Sequence, residues 1–281
     1  MLLGIGHESV IRIKTNAQGR MHISDLRDNI QKAIAVSQMP FAVVSTYGTT
    51  NAGALDEVDE VQKVCEEFNL WHHIDAVYGG AVILSESQQH LWPNFAKADS
   101  LSFNPQKWMF VSKTCSLLLF NQFSQLEKHF RIAAPYVSEN EETNWGEYGI
   151  QGSRHTSVLK LWLSLYLIGK DSYGKLIDLN FSITRQFATF ITQHEQLEMY
   201  TEPDLNIILF RPRQENGQNR QQHAEATKKF QNYLYKQQLY VSPIVWKGTT
   251  WLKCIFLNPY FDQTKLDQLI RLIEKYFVSR G

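Results

Sequence analysis

An α/β fold is what this sequence predicts, and three observations carry it. Four short apolar runs, at 41–46, 70–75, 101–104 and 115–120, have the length and the β-branched or aromatic content of strands. Between the first two, Val58, Val61, Cys65 and Phe68 recur at helical spacing after Asp56. Strands alternating with helices imply a layered sheet, and a smaller unit of different rhythm closes the chain.

The elements follow in order. Ser24 stands where it could cap a helix running towards Ser37. Phe41–Thr46 is short, apolar and β-branched, and so reads as a buried strand; Leu70–Asp75, Leu101–Asn104 and Cys115–Phe120 read as the next three. The stretch from Tyr136 to Tyr148 is polar and acidic without periodicity, within a loop spanning about 133–150 that is expected to be exposed and mobile. From His155 to Gly169 the residues Val158, Leu159, Leu161, Trp162, Leu165 and Leu167 predict a long helix buried on a broad face, and a second helix spans about 173–194. Leu205–Arg211 and Trp251–Leu257 read as strands separated by a helix at Gln221–Lys236, with the polar 217–222 stretch as a connecting loop. A final amphipathic helix carries Leu266, Leu269, Ile270, Ile273, Tyr276 and Phe277 on one face. The change of rhythm divides the chain into 1–170 and 171–281, the second part being a small α+β unit with its leading helix.

Composition narrows the function. The chain has 281 residues, long enough to bury a sizeable core, and its 28 basic residues balance 28 acidic ones. No net field argues for nucleic acid or an anionic membrane surface. No apolar run approaches the roughly 20 residues of a membrane span, and the first residues lack the pattern of a signal peptide. Cys65, Cys115 and Cys254 are scattered within apolar patterns, which suits buried reduced thiols and a cytoplasmic location.

Two residues stand where chemistry could be done. Asp75 ends the second strand inside an apolar stretch, and a buried carboxylate needs a cationic partner. Taken alone it would be a capping or turn residue. Lys107 follows Asn104-Pro105 and precedes Trp108-Met109-Phe110-Val111, an apolar setting in which an amine becomes a usable nucleophile, although a lone lysine is ordinarily a solvated charge. His73, two residues before Asp75, faces the same side of the strand. On its own it would be a satisfied core histidine.

The wording around these residues adds to the reading. His73-Ile74-Asp75-Ala76-Val77-Tyr78-Gly79-Gly80, followed by Ser100-Leu101-Ser102-Phe103-Asn104-Pro105-Gln106-Lys107-Trp108, closely resembles the signature of the group II pyridoxal-phosphate-dependent amino-acid decarboxylases. These include the glutamate, aromatic amino-acid and cysteine-sulfinate enzymes. Thr46-Tyr47-Gly48-Thr49-Thr50-Asn51-Ala52-Gly53, the stretch from Gly149 to Leu163 and the strand ending at Asn258-Pro259 are similar to three further family segments, so the resemblance runs almost from end to end.

What the resemblance implies is specific. The fold would be that of the fold type I transferases, a partial large domain with a mixed sheet plus the small α+β C-terminal domain. The cofactor would be pyridoxal 5'-phosphate, with no metal. Lys107 would hold it as a Schiff base, and Asp75 would keep the pyridine nitrogen protonated so that the ring acts as an electron sink. Thr46 would lie beside the ring, Val77 against its face and His73 behind Asp75, with Asn104 and Gln106 near the phosphate. Tyr136, in the polar loop, would protonate the reacting carbon after CO₂ leaves; Tyr148 is the weaker candidate. The family has His where Gln106 stands and Ala where Val77 stands. Met1–Gly6 resembles a point midway through the family's large domain, so a Gly/Ser-rich phosphate turn and a ring-stacking histidine would lie upstream.

Three functions stay open at this point. The first is decarboxylation of an L-amino acid by a homodimer with sites near the interface. The second is another reaction on the same cofactor, such as oxidative deamination to an aldehyde or amino-group transfer. The third is a truncated, non-catalytic homologue acting as a partner subunit. Trp108 leans the substrate towards aromatic amino acids and the Gly152–His155 stretch towards glutamate, which leaves it undecided.

Overall fold

The computed structural model describes residues 4–132, 145–148, 151–153 and 155–279. Its first sheet has the order β1-β2-β3-β4, built from Ala42–Thr46, Trp71–Asp75, Ser100–Phe103 and Leu117–Phe120. The first three strands are parallel and the fourth runs antiparallel to β3, giving a mixed sheet. Helix α1 (Ile23–Ala35) and helix α2 (Val58–Phe68) carry apolar faces that pack with Val43 and Leu70. Asn69 ends α2 in the left-handed conformation, which turns the chain straight into β2.

The second sheet is antiparallel and contains β5 (Leu197–Met199), β6 (Ile207–Pro212), β7 (Ser242–Trp246) and β8 (Thr249–Ile255), in the order β5-β6-β8-β7. Helices α6 (Arg220–Lys236) and α7 (Gln263–Val278) enclose with it a core in which Phe187, Phe210, Phe230 and Leu252 are fully buried. Its other face, through Leu209 and Trp251, packs on Ala52 and Ala54 of the turn after β1. Helix α5 (Lys170–Gln193) belongs to both cores. Tyr173, Ile177 and Phe181 join the cluster around Trp108, whereas Ile183, Phe187 and Ile191 join the second one. Arg20 ties the two sheets from outside by forking onto Asp204 at 2.6 and 3.2 Å, while Asp204 also accepts the Leu55 N–H at 3.1 Å.

Several expectations are corrected. The first strand is buried on one face only: Val43 and Ser45 are covered, but Val44 is 55 % exposed. A continuous apolar run cannot say whether one face or two will be covered. After the short helix α3 (Phe123–Phe130), the helix expected at 155–169 exists as α4 (Ser157–Ile168), yet none of its residues is fully buried and Trp162, Tyr166 and Leu167 are exposed. Ser24 lies inside α1, where its hydroxyl meets His22 Nδ1, and His22 takes the cap position without a side-chain bond. The 217–222 stretch is only partly loop, because Asn219 and Gln222 form a capping box that starts α6. Strands β5 and β7 were not expected; three residues are too few to show a period, and Pro243 interrupts the other run. Cys65 and Cys115 are buried thiols, and Cys254 is half-buried.

Candidate active site

The parallel strands deliver their last residues to one edge of the sheet. Thr46 is paired in register with Asp75, and Asp75 with Ser102, so a hydroxyl, a carboxylate and a second hydroxyl form a row at the carboxyl ends of β1, β2 and β3. Two residues back, Val44, His73 and Ser100 form the next row on the same face. In open α/β sheets, ligands bind outside this edge. All three members of the outer row are half-buried, so each is supported by the fold and still open to one side.

Local bonds explain the shape of the edge. Asp75 Oδ1 accepts the Val77 N–H at 3.2 Å, which folds the chain over as it leaves β2. Tyr47 N–H donates to the Asp75 carbonyl at 2.8 Å, and Gly79 N–H donates to the Tyr47 carbonyl at 2.9 Å. The two exits therefore lie against each other. A Cβ on Gly79 would stand 2.4 Å from the Tyr47 carbonyl oxygen, so this approach requires glycine. Beneath it, buried Asp56 accepts the backbone N–H groups of Thr46 at 2.7 Å and Met21 at 2.6 Å. Burial pushes the Asp56 carboxyl up, against those two bonds and the nearby Arg20.

Lys107 sits in the turn that follows β3. Its N–H donates to the Asn104 carbonyl at 3.1 Å, Gln106 N–H donates to Asn104 Oδ1 at 3.2 Å, and Val111 N–H reaches back to the Pro105 carbonyl at 3.2 Å. Gln106 Oε1 accepts the Cys115 N–H at 2.9 Å. Both amides expected near a phosphate thus give their carbonyl ends to the turn, and only the NH₂ ends are left to donate to an anion. Lys107 is half-buried; Trp108, Met109 and Val111 beside it are buried.

His73 lies on the same face as Asp75, as expected, and its Nδ1 meets Ser100 Oγ at 2.8 Å. Burial lowers its pKa, with Asp75 opposing. Val77 is half-buried just beyond Asp75. Tyr136 lies outside the described residues. Tyr148 is described and buried, which does not suit a group that swings onto a substrate. Among the described residues no three His, Cys, Asp or Glu side chains gather as a metal site would need.

Three residues at this edge were missed by sequence reasoning. Tyr78 stacks on Trp108 with ring centroids 5.2 Å apart and planes 22° apart, and its hydroxyl donates to Asn206 Oδ1 at 2.7 Å. Asn180 Oδ1 accepts the Trp108 indole N–H at 2.7 Å. A signal existed for both asparagines: each is a polar residue inside an apolar pattern, Asn180 between Ile177 and Phe181, Asn206 between Leu205 and Ile207.

Comparison with known proteins agrees with this arrangement. Residues 2–213 match the family described as the pyridoxal-dependent decarboxylase conserved domain. Cysteine sulfinic acid decarboxylase from Mus musculus is 30% identical over 287 residues, covering 97% of this chain and 58% of that protein. Aromatic-L-amino-acid decarboxylase from Bacillus atrophaeus is 33% identical over 215 residues, covering 75% of this chain and 45% of that protein. The crystal structure of mouse CSAD in apo form superposes with a TM-score of 0.89 at 28% identity, over 98% of this chain and 60% of that one. The chain thus spans about half the length of the curated relatives it matches.

Proposed function

Because this chain belongs to the pyridoxal-dependent decarboxylase family, we propose that it carries the lysine and the acid of a site that decarboxylates an L-amino acid to its amine and CO₂. The observation that supports this most directly is the delivery of Asp75 and Lys107 to the carboxyl ends of adjacent parallel strands in one mixed sheet. The donor set fits the cofactor: a carboxylate for a ring nitrogen, an amine for a carbonyl, and the hydroxyls of Thr46 and Ser102 in register beside the acid. Pyridoxal 5'-phosphate, when bound, supplies a carbonyl that an amine can capture and a protonated ring that takes up the electron pair left by a departing carboxylate.

The chain's own residues have the remaining tasks. Lys107 would offer the amine that exchanges with the substrate's amino group. Asp75 would hold a proton at the ring nitrogen, with His73 and Ser100 keeping the second row of the sheet face in place. Asn104 and Gln106 would offer amide N–H groups to the phosphate, and Val77 would press on the ring. Tyr136 would return a proton to the substrate carbon.

Two exposed apolar features support a homodimer. Helix α4 leaves Val158, Trp162 and Tyr166 uncovered, and β4 exposes Leu118 and Leu119. Patches of this kind on a folded chain mark interaction surfaces. The same bareness favours a second reading, in which this polypeptide is a non-catalytic homologue acting only as a partner subunit. No helix among the described residues is long and apolar enough to cross a membrane.

One experiment separates the readings. The purified chain is mixed with pyridoxal 5'-phosphate, its absorbance recorded, and the mixture reduced with borohydride and mapped by peptide mass. An adduct on Lys107 that disappears in Lys107→Ala supports the first reading, and amino acids are then screened for CO₂ release. An unmodified Lys107 leaves family membership standing and selects the second. Oxygen consumption with aldehyde formation would instead assign the aldehyde-forming reaction.

A further inference from the structure

The backbone and amide bonds of the lysine turn stay within the 104–115 segment, so contacts from outside that segment bear on its position against the acid-bearing strand. Trp108 is the deepest anchor available: it is fully buried, and its ring meets Tyr78 on one side and Phe181 at 5.8 Å on another. Tyr78 stands three residues after Asp75 and Trp108 one residue after Lys107. The Tyr78–Trp108 stack therefore joins the two halves of the candidate site ring to ring.

Both rings are held at their polar ends by residues far away in the chain. Asn206, fully buried just before β6, accepts from the Tyr78 hydroxyl and donates its Nδ2–H to the Phe256 carbonyl at 2.9 Å. Its amide is thus oriented by the second sheet and fixes where the Tyr78 ring can lie. Burial pushes the Tyr78 phenol up, so the hydroxyl keeps its proton and remains a donor. Asn180, on α5, is 1% exposed, and its Nδ2 has no partner among the described residues. A buried donor without a partner is costly, so this amide is a poor choice for stability alone. What it does supply is one bond, to the Trp108 indole.

We propose that Tyr78, Asn180 and Asn206 are positioning residues for Lys107, and that the C-terminal sheet sets the lysine turn through the Tyr78–Trp108 stack. This rests on the reading of Lys107 as the cofactor-holding amine. It goes beyond that reading by making the site's geometry depend on the C-terminal sheet and on α5, through pairs separated by 128 and 72 residues.

The test measures Lys107 directly, without cofactor. The whole chain is labelled with a limiting amine-acylating reagent, and the rate at each lysine is read by peptide mass, with exposed Lys236 and Lys275 as internal references. Tyr78→Phe removes only the hydroxyl. It should raise the Lys107 rate by roughly three- to tenfold, the scale set by one buried hydrogen bond, and leave the references unchanged. Asn206→Leu should do the same, and the double variant should do no more than either single one, since all three cut the same link. Asn180→Leu acts from the other side of the stack and keeps the test alive if the first variants fail to fold. An unchanged Lys107 rate in a folded variant, or a rise shared by every lysine, would overturn the proposal. Borohydride mapping of the unsubstituted chain reports separately on the cofactor reading, so the two can fail independently.

Discussion

Lowering the pH should weaken this fold through His72 in particular. His72 is fully buried on β2, with Nε2 at 2.8 Å from Ser45 Oγ and Nδ1 at 2.8 Å from Gln62 Oε1. Gln62 spends its NH₂ on Glu66 at 3.1 Å, so its oxygen faces the ring. Nδ1 must then carry the proton, and Nε2 accepts from the Ser45 hydroxyl. The neutral ring is fully satisfied in this arrangement. Charging it means desolvating a cation, and burial depresses its pKa from 6.5 to about 4, with Asp99 opposing and His73 adding. Since the folded value is the lower one, the unfolded chain binds the proton first. The stabilisation is complete above the unfolded value and is lost as pH falls through the interval between the two. At pH 5, about 1.5 decades below the unfolded value, the loss is about 2 kcal/mol. Urea unfolding followed by circular dichroism at pH 7.5 and pH 5 measures it in the unsubstituted chain and in His72→Gln. His73 and His194, also depressed mainly by burial, contribute to both proteins and cancel in the difference. If the two proteins lose the same stability over that interval, the assignment to a buried neutral His72 is wrong.

Three further outcomes are expected. Gly79→Ala drives a methyl group into the Tyr47 carbonyl and should cost more than about 2 kcal/mol, whereas Gly152→Ala, with nothing within 4 Å, should be near neutral; thermal melts of the two variants decide this. Asp204→Ala breaks the fork to Arg20 and orphans the Leu55 N–H, costing about 1–3 kcal/mol, against less than about 1 kcal/mol for Glu60→Ala at the exposed Lys63 pair; equal losses would refute the distinction. If the proposed homodimer forms through the bare face of α4, Trp162→Lys should lower self-association in sedimentation without lowering the melting temperature, and an unchanged sedimentation profile would remove α4 from that proposed interface.

Much of the candidate site is legible in the amino-acid sequence. Asp75 and Lys107 stand out because strand ends and apolar runs are local, and short spacings fix which residues share a strand face. The covered side of β1 is not legible, because a run such as Ala42–Thr46 reports hydrophobicity without saying what will pack on it. Helix α4 makes the same point more strongly: its composition asks for burial, yet none of its residues is fully buried and Leu161 packs only partly against the core. Nor does the sequence show that backbone groups of the turn claim the carbonyl ends of Asn104 and Gln106, which leaves only their NH₂ ends for the phosphate role that the resemblance implies.

By itself, the sequence determined the alternation of elements, the resemblance to one decarboxylase family and the two groups that could do its chemistry. Each of these depends on residues a few positions apart, whose geometry a strand or turn sets locally. Tertiary structure alone decided that Tyr78 finds Asn206, that Trp108 finds Asn180 and that α5 is shared by both cores. Such pairings join distant stretches, and their partners are selected by how whole layers pack, for which no local pattern exists.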